Sequence, residues 1–237
     1  MTGAAAPMTA PAQPSLLFVC GLAREAGIAA GEGARAICGD APTLQAGLGA
    51  LPARPDLVVS FGLCGGLDPA LRSGDLVVGT TVAAAGTTLA SQEGLGRVLV
   101  RRLASLGQPA RLGVVAAVDA PVLTWRDKAR LREATGAIAV DMESLVAARF
   151  AAECGLPFVV LRAVSDPADR DLPPLVLKAV GADGRLDLKV VAAAVARSPA
   201  QIGGLVAAGL DSAAAFAALG RVRRLPGLFL SLGLADL

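Results

Sequence analysis

The chain has 237 residues, which is enough for one or two domains and for a full hydrophobic core. Hydrophobic residues make up 54% of it and charged residues 18%, a balance that excludes an intrinsically disordered protein. The net charge is +2 and no basic stripe stands out, so the sequence does not indicate a nucleic-acid partner.

The sequence contains no histidine and no tyrosine. Catalytic triads and metal centres that use histidine are therefore excluded, and acid–base chemistry is left to Asp, Glu, Lys, Arg or Cys. The cysteines are scattered without a C-x-x-C pair, so we expect reduced thiols rather than a zinc site, and neither a metal nor an organic cofactor. They are Cys20, Cys38, Cys64 and Cys154.

Short apolar runs from residue 16 onward predict buried strands, and helical patterns lie between them. The runs are mostly β-branched and do not alternate, which is typical of a sheet covered by helices on both faces. We expect strands at 16–21, 56–62, 75–84, 110–119, 137–141 and 158–165, and helices at 43–51, 94–106, 126–135, 143–154, 175–180, 188–196 and 200–219. These patterns predict a single α/β domain over residues 16–237 with a helical C-terminal section, after a flexible tail at 1–15. No apolar run reaches the length of a transmembrane helix, and the tail lacks the features of a signal peptide.

Polar residues at the carboxyl ends of the predicted strands are the first candidates for a site. The segment 60–66, SFGLCGG, ends the second strong strand, and its glycines allow a ligand to approach the backbone. Its spacing differs from the dinucleotide fingerprint, so NAD binding is not indicated, and a plain turn is the alternative. Arg24, after the first strand, is either an oxyanion ligand or a solvated surface residue.

Two carboxylates follow later strands. Glu143, in the segment 140–144 (VDMES), has two acceptor oxygens that suit the vicinal hydroxyls of a sugar, but Asp and Glu at a helix start also serve as cap and dipole partners. Asp166 leaves a strongly apolar strand, where burial would keep a proton on it for general acid catalysis. The alternative for Asp166 is an Asx-turn before Pro167.

Three ordered blocks carry a family resemblance: 60–78 (SFGLCGGLDPALRSGDLVV), 139–148 (AVDMESLVAA) and 159–169 (VVLRAVSDPAD). Together they resemble the superfamily of purine nucleoside phosphorylases and methylthioadenosine/S-adenosylhomocysteine nucleosidases, over roughly residues 16–173. The likeness is greatest to the hopanoid-associated phosphorylases, which are proposed to remove adenine from adenosylhopane. The resemblance implies a three-layer α/β/α fold with a central mixed sheet, a homo-oligomer, and cleavage of the N-glycosidic bond of a 5′-substituted adenosine.

The resemblance also implies roles for matching residues. Asp166 matches the aspartate that protonates the purine at N7, and Glu143 matches the ligand of the ribose hydroxyls, with Met142 packing under the sugar. A second group matches the segments near the nucleophile: Gly21, Ser60, Gly62 and Gly65. A base stacked by phenylalanine in relatives would here meet Pro121 and Val122 or the ring of Trp125, with Ser165 beside it.

One departure from the relatives concerns the nucleophile. The nucleosidases place a water-positioning glutamate after the first strand, where this chain has Ala26 in alignment and Arg24 nearby. This favours phosphorolysis, with inorganic phosphate as co-substrate and bound by Arg24. Hydrolysis by the same fold is the alternative, and a catalytically silent nucleoside-binding or membrane-adaptor protein is the third.

The C-terminal end suggests a partner for the protein. Basic residues at 221–224 precede an apolar segment at 225–234, a pattern that favours contact with an anionic membrane surface and suits a lipid-linked nucleoside. The alternative is a segment packed on the body or on a partner subunit. We expect a cytoplasmic protein with peripheral contact at the inner membrane face.

Overall fold

The computed structural model describes residues 15–31, 33–91, 93–174, 180–187, 189, 192–193, 202–225 and 227–229. The strands are β1 (Leu16–Cys20), β2 (Ala34–Cys38), β3 (Leu57–Gly66), β4 (Leu76–Ala84), β5 (Thr87–Ala90), β6 (Ala110–Ala117), β7 (Ala139–Asp141) and β8 (Phe158–Asp166). The helices are α1 (Ala23–Ala29), α2 (Ala41–Gly49), α3 (Glu93–Ser105), α4 (Trp125–Thr135), α5 (Ser144–Cys154) and α6 (Ile202–Arg223).

The eight strands form one mixed sheet that partly closes on itself. β2, β1, β3 and β8 run parallel, and β4 pairs antiparallel with β8 and β5 and parallel with β6. β7 pairs with β6 on one side and, through Val140 and Ala139, with Gly65 and Gly66 of β3 on the other. β3, β8, β4, β6 and β7 therefore form a closed ring.

Helices cover both faces of the sheet, which confirms the expected α/β fold with a central mixed sheet. One core cluster lies between the sheet and α1, α3 and α6, and another lies between the sheet and α2 and α5. Nearly every residue of β1, β3 and β8 is buried, as the continuous apolar runs predict. A small third cluster, with Leu131 of α4 against Val140 of β7, closes one end.

The glycine-rich segment after the second strong strand is itself strand, so the expectation of a turn there is wrong. β3 continues through Gly66 because its last residues have partners on both sides: Gly65 pairs with Val140 of β7 and with Asp166 of β8. β2, α1 and β5 are also absent from the sequence-based expectation. Each is short, and the two strands are only half-buried, so their apolar signal is weak.

Helix α6 corrects the expectation about membrane-spanning length. Within the described residues, its stretch Gly203–Arg223 is long and apolar enough to cross a membrane, with a mean hydropathy of 1.4. Helix α6 buries Ala215, Leu219 and Val222 against the sheet. Only 28% of its apolar stretch is buried, however, and Val206 and Leu210 are exposed. The preceding expected helices at 175–180 and 188–196 lie almost wholly outside the described residues, as does the tail at 1–14.

The described part of the C-terminal segment packs on the body of the protein. Leu228 and Phe229 are buried, and the Phe229 ring meets the Phe18 ring of β1 edge to face at 5.2 Å. Arg223 donates to the carbonyl of Ala29. These contacts favour the packed alternative for the described residues 225 and 227–229, while residues 226 and 230–234 lie outside the described part.

Candidate active site

A single buried arginine organises the polar cluster at the carboxyl ends of β1, β3, β7 and β8. Arg162, on β8, is fully buried, and its Nε lies 2.8 Å from Asp141 Oδ2. Its other nitrogens lie 3.2 Å from Glu143 Oε2 and 2.6 Å from Ser60 Oγ. Burial alone lowers the pKa of this guanidinium, but the surrounding carboxylates raise it above its ordinary value, so Arg162 stays charged.

Asp141 and Ser144 fix the start of α5 beside this arginine. The backbone N–H of Ser144 donates to Asp141 Oδ1 at 3.0 Å, and the Ser144 hydroxyl donates to Oδ2. Ser144 Oγ also lies 2.9 Å from Ser60 Oγ. The cap role that the sequence left open for the acidic pair thus belongs to Asp141, whereas Glu143 makes no side-chain cap bond.

Glu143 is the carboxylate that faces the end of β1. Its side chain lies against Gly21, where a Cβ atom would overlap the carboxyl group. Burial raises the pKa of Glu143 to about 7, and Asp141 and Glu25 add to the rise while Arg162 opposes it. The group is therefore close to half-ionised at neutral pH, and Met142 beside it is 37% exposed.

A second glutamate enters the same cluster, which corrects the expectation that this place lacks a carboxylate. Glu25 is 2% exposed, and its Oε2 accepts from the N–H groups of Gly21 and Leu22 at 2.9 and 2.8 Å. Its Oε1 accepts from Leu63 N–H at 2.7 Å. The carboxylate sits there because the first turn of α1 leaves backbone donors unpaired. Burial raises the pKa of Glu25, and Arg162 and the amide donors oppose the rise.

Arg24 and Ala26 point elsewhere. The Arg24 guanidinium is exposed and lies over the ring of Phe216 on α6, 4.1 Å from its centroid. Ala26 packs against the core. On a short helix, successive side chains point about 100° apart, so only one of these three residues faces the site. The expectation that Arg24 binds an anionic nucleophile is not supported by this geometry.

Asp166 lies at the end of β8 with a lysine that the sequence did not single out. It is 6% exposed, and its Oδ2 lies 2.7 Å from Nζ of Lys128, which is fully buried on α4. Ser165 Oγ donates to Oδ1 at 2.7 Å. Burial raises the pKa of Asp166, and the Lys128 ammonium and the Ser165 hydroxyl oppose the rise.

The strand register joins the two halves of the cluster. Gly65 pairs with Val140, just before Asp141 and Glu143, and also with Asp166. A Cβ on Gly65 would lie 3.0 Å from Asp166 Oδ2. The arginine cluster and the Asp166–Lys128 pair are therefore anchored to one point of β3.

The remaining residues predicted for the site either support the buried polar cluster or lie near the surface. Ser60 is fully buried and holds Arg162, so it supports the cluster from inside. Val122 packs beside Val140, and Pro121 is partly buried. Trp125 is 49% exposed, and Arg126 lies over its ring. The backbone N–H of Trp125 donates to Asp171 Oδ1. The choice between these groups as the base-stacking surface stays open.

Three residues of the cluster were missed by sequence reasoning: Glu25, Lys128 and Arg162. Arg162 offered a signal, because a lone charge inside a fully apolar strand needs buried partners. Glu25 offered a weaker one as an acidic residue in the first turn of a helix. Lys128 offered none, since it is one of several charged residues in α4.

Comparisons with known proteins agree with this fold. Residues 33–200 match a family model described as the Phosphorylase superfamily. Among solved structures, the 5′-methylthioadenosine/S-adenosylhomocysteine nucleosidase from Neisseria meningitidis, in complex with methylthio-immucillin-A, is 18% identical with a TM-score of 0.60. The alignment covers 89% of this chain and 97% of that one.

Two proteins from Helicobacter pylori show the same likeness. Its 5′-methylthioadenosine/S-adenosylhomocysteine nucleosidase is 18% identical with a TM-score of 0.59, covering 66% of this chain and 87% of that one. Its futalosine hydrolase is 18% identical with a TM-score of 0.58, covering 66% and 86%. At this level of identity the likeness shows a shared fold.

Proposed function

The chain belongs to the Phosphorylase superfamily, and on that premise we propose that it cleaves the N-glycosidic bond of a 5′-substituted adenosine and releases adenine. The observation that carries the proposal is the placement of two carboxyl groups: Asp166 is buried at the end of β8, and the partly buried Glu143 follows β7 by two residues. Both strands pair with Gly65 of β3. Asp166 suits the base of a nucleoside, and Glu143 suits its sugar.

Asp166 acts as the general acid. Its burial raises its pKa and favours the protonated form. The proton passes to N7 of the purine while the electron pair of the C1′–N9 bond moves onto the base, so that adenine leaves as a neutral molecule. Without this proton the leaving group would be an anion, and the barrier would be higher.

Glu143 binds the ribose, and its neighbours stabilise the charge that develops there. Its carboxylate accepts hydrogen bonds from the 2′- and 3′-hydroxyls. As the glycosidic bond breaks, the sugar gains oxocarbenium character, and the nearby carboxylates of Glu25 and Glu143 stabilise this positive charge. Arg162 holds Glu143 in place by pairing with it and with Asp141.

The nucleophile that this arrangement favours is water. Three acidic side chains, Glu25, Asp141 and Glu143, surround the single guanidinium of Arg162, so a phosphate anion would meet net negative charge. Glu25 accepts three backbone N–H bonds, and a carboxylate offers about four acceptor positions, which leaves one for a water molecule. Its raised pKa suits it to take a proton from that water.

The 5′ substituent is proposed from resemblance. The likeness to hopanoid-associated phosphorylases favours adenosylhopane, and the solved relatives of this fold favour methylthioadenosine. Contact with an anionic membrane would suit the lipid-linked substrate. Co-sedimentation with vesicles tests that contact, and binding equal to that of a protein truncated at Arg221 would contradict it.

The deciding experiment measures free adenine from adenosylhopane, 5′-methylthioadenosine and adenosine, with and without phosphate. We expect release without phosphate and a free ribose product. Release only with phosphate, together with a ribose-1-phosphate product, would replace water by phosphate as the nucleophile.

A pair of variants tests the acid. Asp166→Asn should lower kcat by about 10²–10⁴-fold, because the amide cannot donate an acidic proton. Asp169→Asn removes an exposed carboxylate in the same loop and should leave kcat unchanged. Unchanged release by D166N would remove Asp166 from the mechanism, and no release by the native protein from any substrate would favour a binding protein.

A further inference from the structure

Resting on the proposed function, we propose that Lys128 is the positioning residue of the acid Asp166. Its ammonium group holds the carboxylate and the following loop in one place, and it stabilises the anion that forms when the proton is transferred. Three features of Lys128 support this role: its burial, the saturation of its donors and the charges of its neighbours.

Burial is the first feature. Lys128 is fully buried, although α4 is rich in charged residues that stay at the surface, such as Arg126 and Arg130. Placing an ammonium group in the interior is costly unless it is paired and hydrogen-bonded. Lys128 meets this condition through its 2.7 Å contact with Asp166 Oδ2.

Donor saturation is the second feature. A lysine ammonium has three N–H donors. Besides Asp166 Oδ2, Nζ lies 2.8 Å from the carbonyl oxygen of Pro167 and 2.9 Å from that of Arg170. The carbonyl oxygen of Asp166 is a fourth, more distant acceptor at 3.4 Å. The three nearest acceptors use the three donors, so Lys128 acts through Asp166 and its loop rather than by touching the substrate.

The charges around Asp166 define what Lys128 contributes. Asp211 on α6 opposes ionisation of Asp166, but its own side chain is paired with Arg170 and accepts from Ser73. Cys64 on β3 is a buried thiol whose pKa burial raises, so it is neutral. Lys128 is thus the cation in direct contact with the Asp166 carboxylate.

The reaction makes use of this contact. Before cleavage, the carboxyl group carries the proton in an apolar strand end. After the proton has moved to the base nitrogen, the carboxylate is left negative and buried, and the ammonium at 2.7 Å compensates that charge. Lys128 therefore strengthens the acid while keeping its oxygens aimed at the base.

The first test is the pH dependence of kcat in Lys128→Met. Removing the cation raises the pKa of Asp166 further, so the descending limb at high pH should move up by about one unit or more. At the optimum, kcat should fall at least about tenfold, with a smaller change in KM, and Lys128→Arg should restore the native position of the limb. An unmoved limb would overturn the proposal.

Two matched variants separate positioning from anchoring. The double variant Arg170→Gln/Asp211→Asn removes a pair that anchors the same loop without contacting the Asp166 carboxylate, and it leaves no unpaired Asp211 charge to raise the pKa of Asp166. Arg132→Met, on the same helix as Lys128, breaks a surface pair with Asp68. Neither should move the limb, and a shift in R170Q/D211N equal to that in K128M would show that Lys128 only anchors the loop.

A second readout does not depend on activity. A carboxyl group whose pKa is raised by folding contributes stability at low pH that is lost as pH rises through the folded pKa. In K128M this loss should extend to higher pH than in the native protein, so its melting temperature should fall more between pH 5 and pH 8. Adding Asp166→Asn should abolish that extra fall, and its persistence in the double variant would contradict the pairing. This result stands even if no nucleoside is cleaved.

Discussion

The carboxyl group of Glu25 occupies the space that a side chain on Gly62 would need. A Cβ atom there would lie 2.5 Å from the Glu25 carboxyl carbon, and the backbone at Gly62 has a positive φ of 155°. Glycine is required at position 62 both because the backbone has a positive φ and because the Glu25 carboxyl group fills the space that a side chain would need. The position of Glu25 depends on both residues.

Gly62→Ala should displace Glu25 and lower both stability and activity. We expect a loss of more than about 2 kcal/mol in the free energy of unfolding, because alanine is strained at this φ and the displaced carboxylate loses its hydrogen bonds from three backbone N–H groups. Chemical denaturation measures this loss, and adenine release measures the effect on the site. Gly27→Ala, on the exposed side of the same helix as Glu25, meets no atom within 4 Å and should be neutral or slightly stabilising.

Arg162→Met should be the most destabilising of the site variants. The change leaves Asp141 and Glu143 without their cation in a buried setting, which typically costs about 3–5 kcal/mol. Arg149→Met, at an exposed position of α5, is the control and should change stability little. Equal stability of the two variants in urea would mean that the ion cluster does not hold the site together.

The raised pKa of Glu143 predicts that nucleoside binding and protein stability depend on pH near neutrality. With a pKa of about 7, it loses its negative charge as the pH falls below that value, so KM for the nucleoside should rise there. Folding raises this pKa above 4.5, so the associated stability is present at low pH and is lost as pH rises through 7. Glu143→Gln should bind poorly at every pH and should flatten this part of the stability curve. Steady-state kinetics and melting curves between pH 5 and 8 measure both effects.

Arg24→Gln should leave catalysis nearly unchanged. The Arg24 side chain lies over the Phe216 ring at the surface, so its removal should cost at most about 0.5–1 kcal/mol of stability. The response of adenine release to added phosphate should also be the same as in the native protein. A higher KM for phosphate in this variant would return Arg24 to the site.

The fold could be predicted from the sequence where the strands are buried on both faces of the sheet. The continuous apolar runs of β1, β3 and β8 indicated a covered sheet, and the structure confirms it. The length of β3 was not predictable, because Gly65 and Gly66 have no β-preference of their own and become strand through pairing with β7 and β8.

The parts of the candidate site that could be predicted from the sequence are those in which a carboxylate directly follows a predicted strand. Asp166 and Glu143 could be proposed from their places in the sequence, and the structure anchors both segments to one point of β3. The sequence could not show whether Arg24 or Glu25 faces the site. The answer depends on where α1 begins, because a shift of one residue turns a different side chain toward the site. Lys128 could not be found because only the fold brings α4 beside the end of β8.

The pairing of Gly65 with both Val140 and Asp166 has a consequence for motion. Asp166, the proposed acid, and the segment before Glu143, the proposed sugar ligand, share an attachment at Gly65 besides their other strand pairings, so we expect motion of the sheet to displace them together. The distance between Asp166 and Glu143 should then vary less than the distance of either residue from the rest of the molecule. In the proposed mechanism this shared attachment would hold the distance between the purine and ribose sites constant, whereas the 5′ end of the proposed substrate would lie beyond it and be free to differ in size.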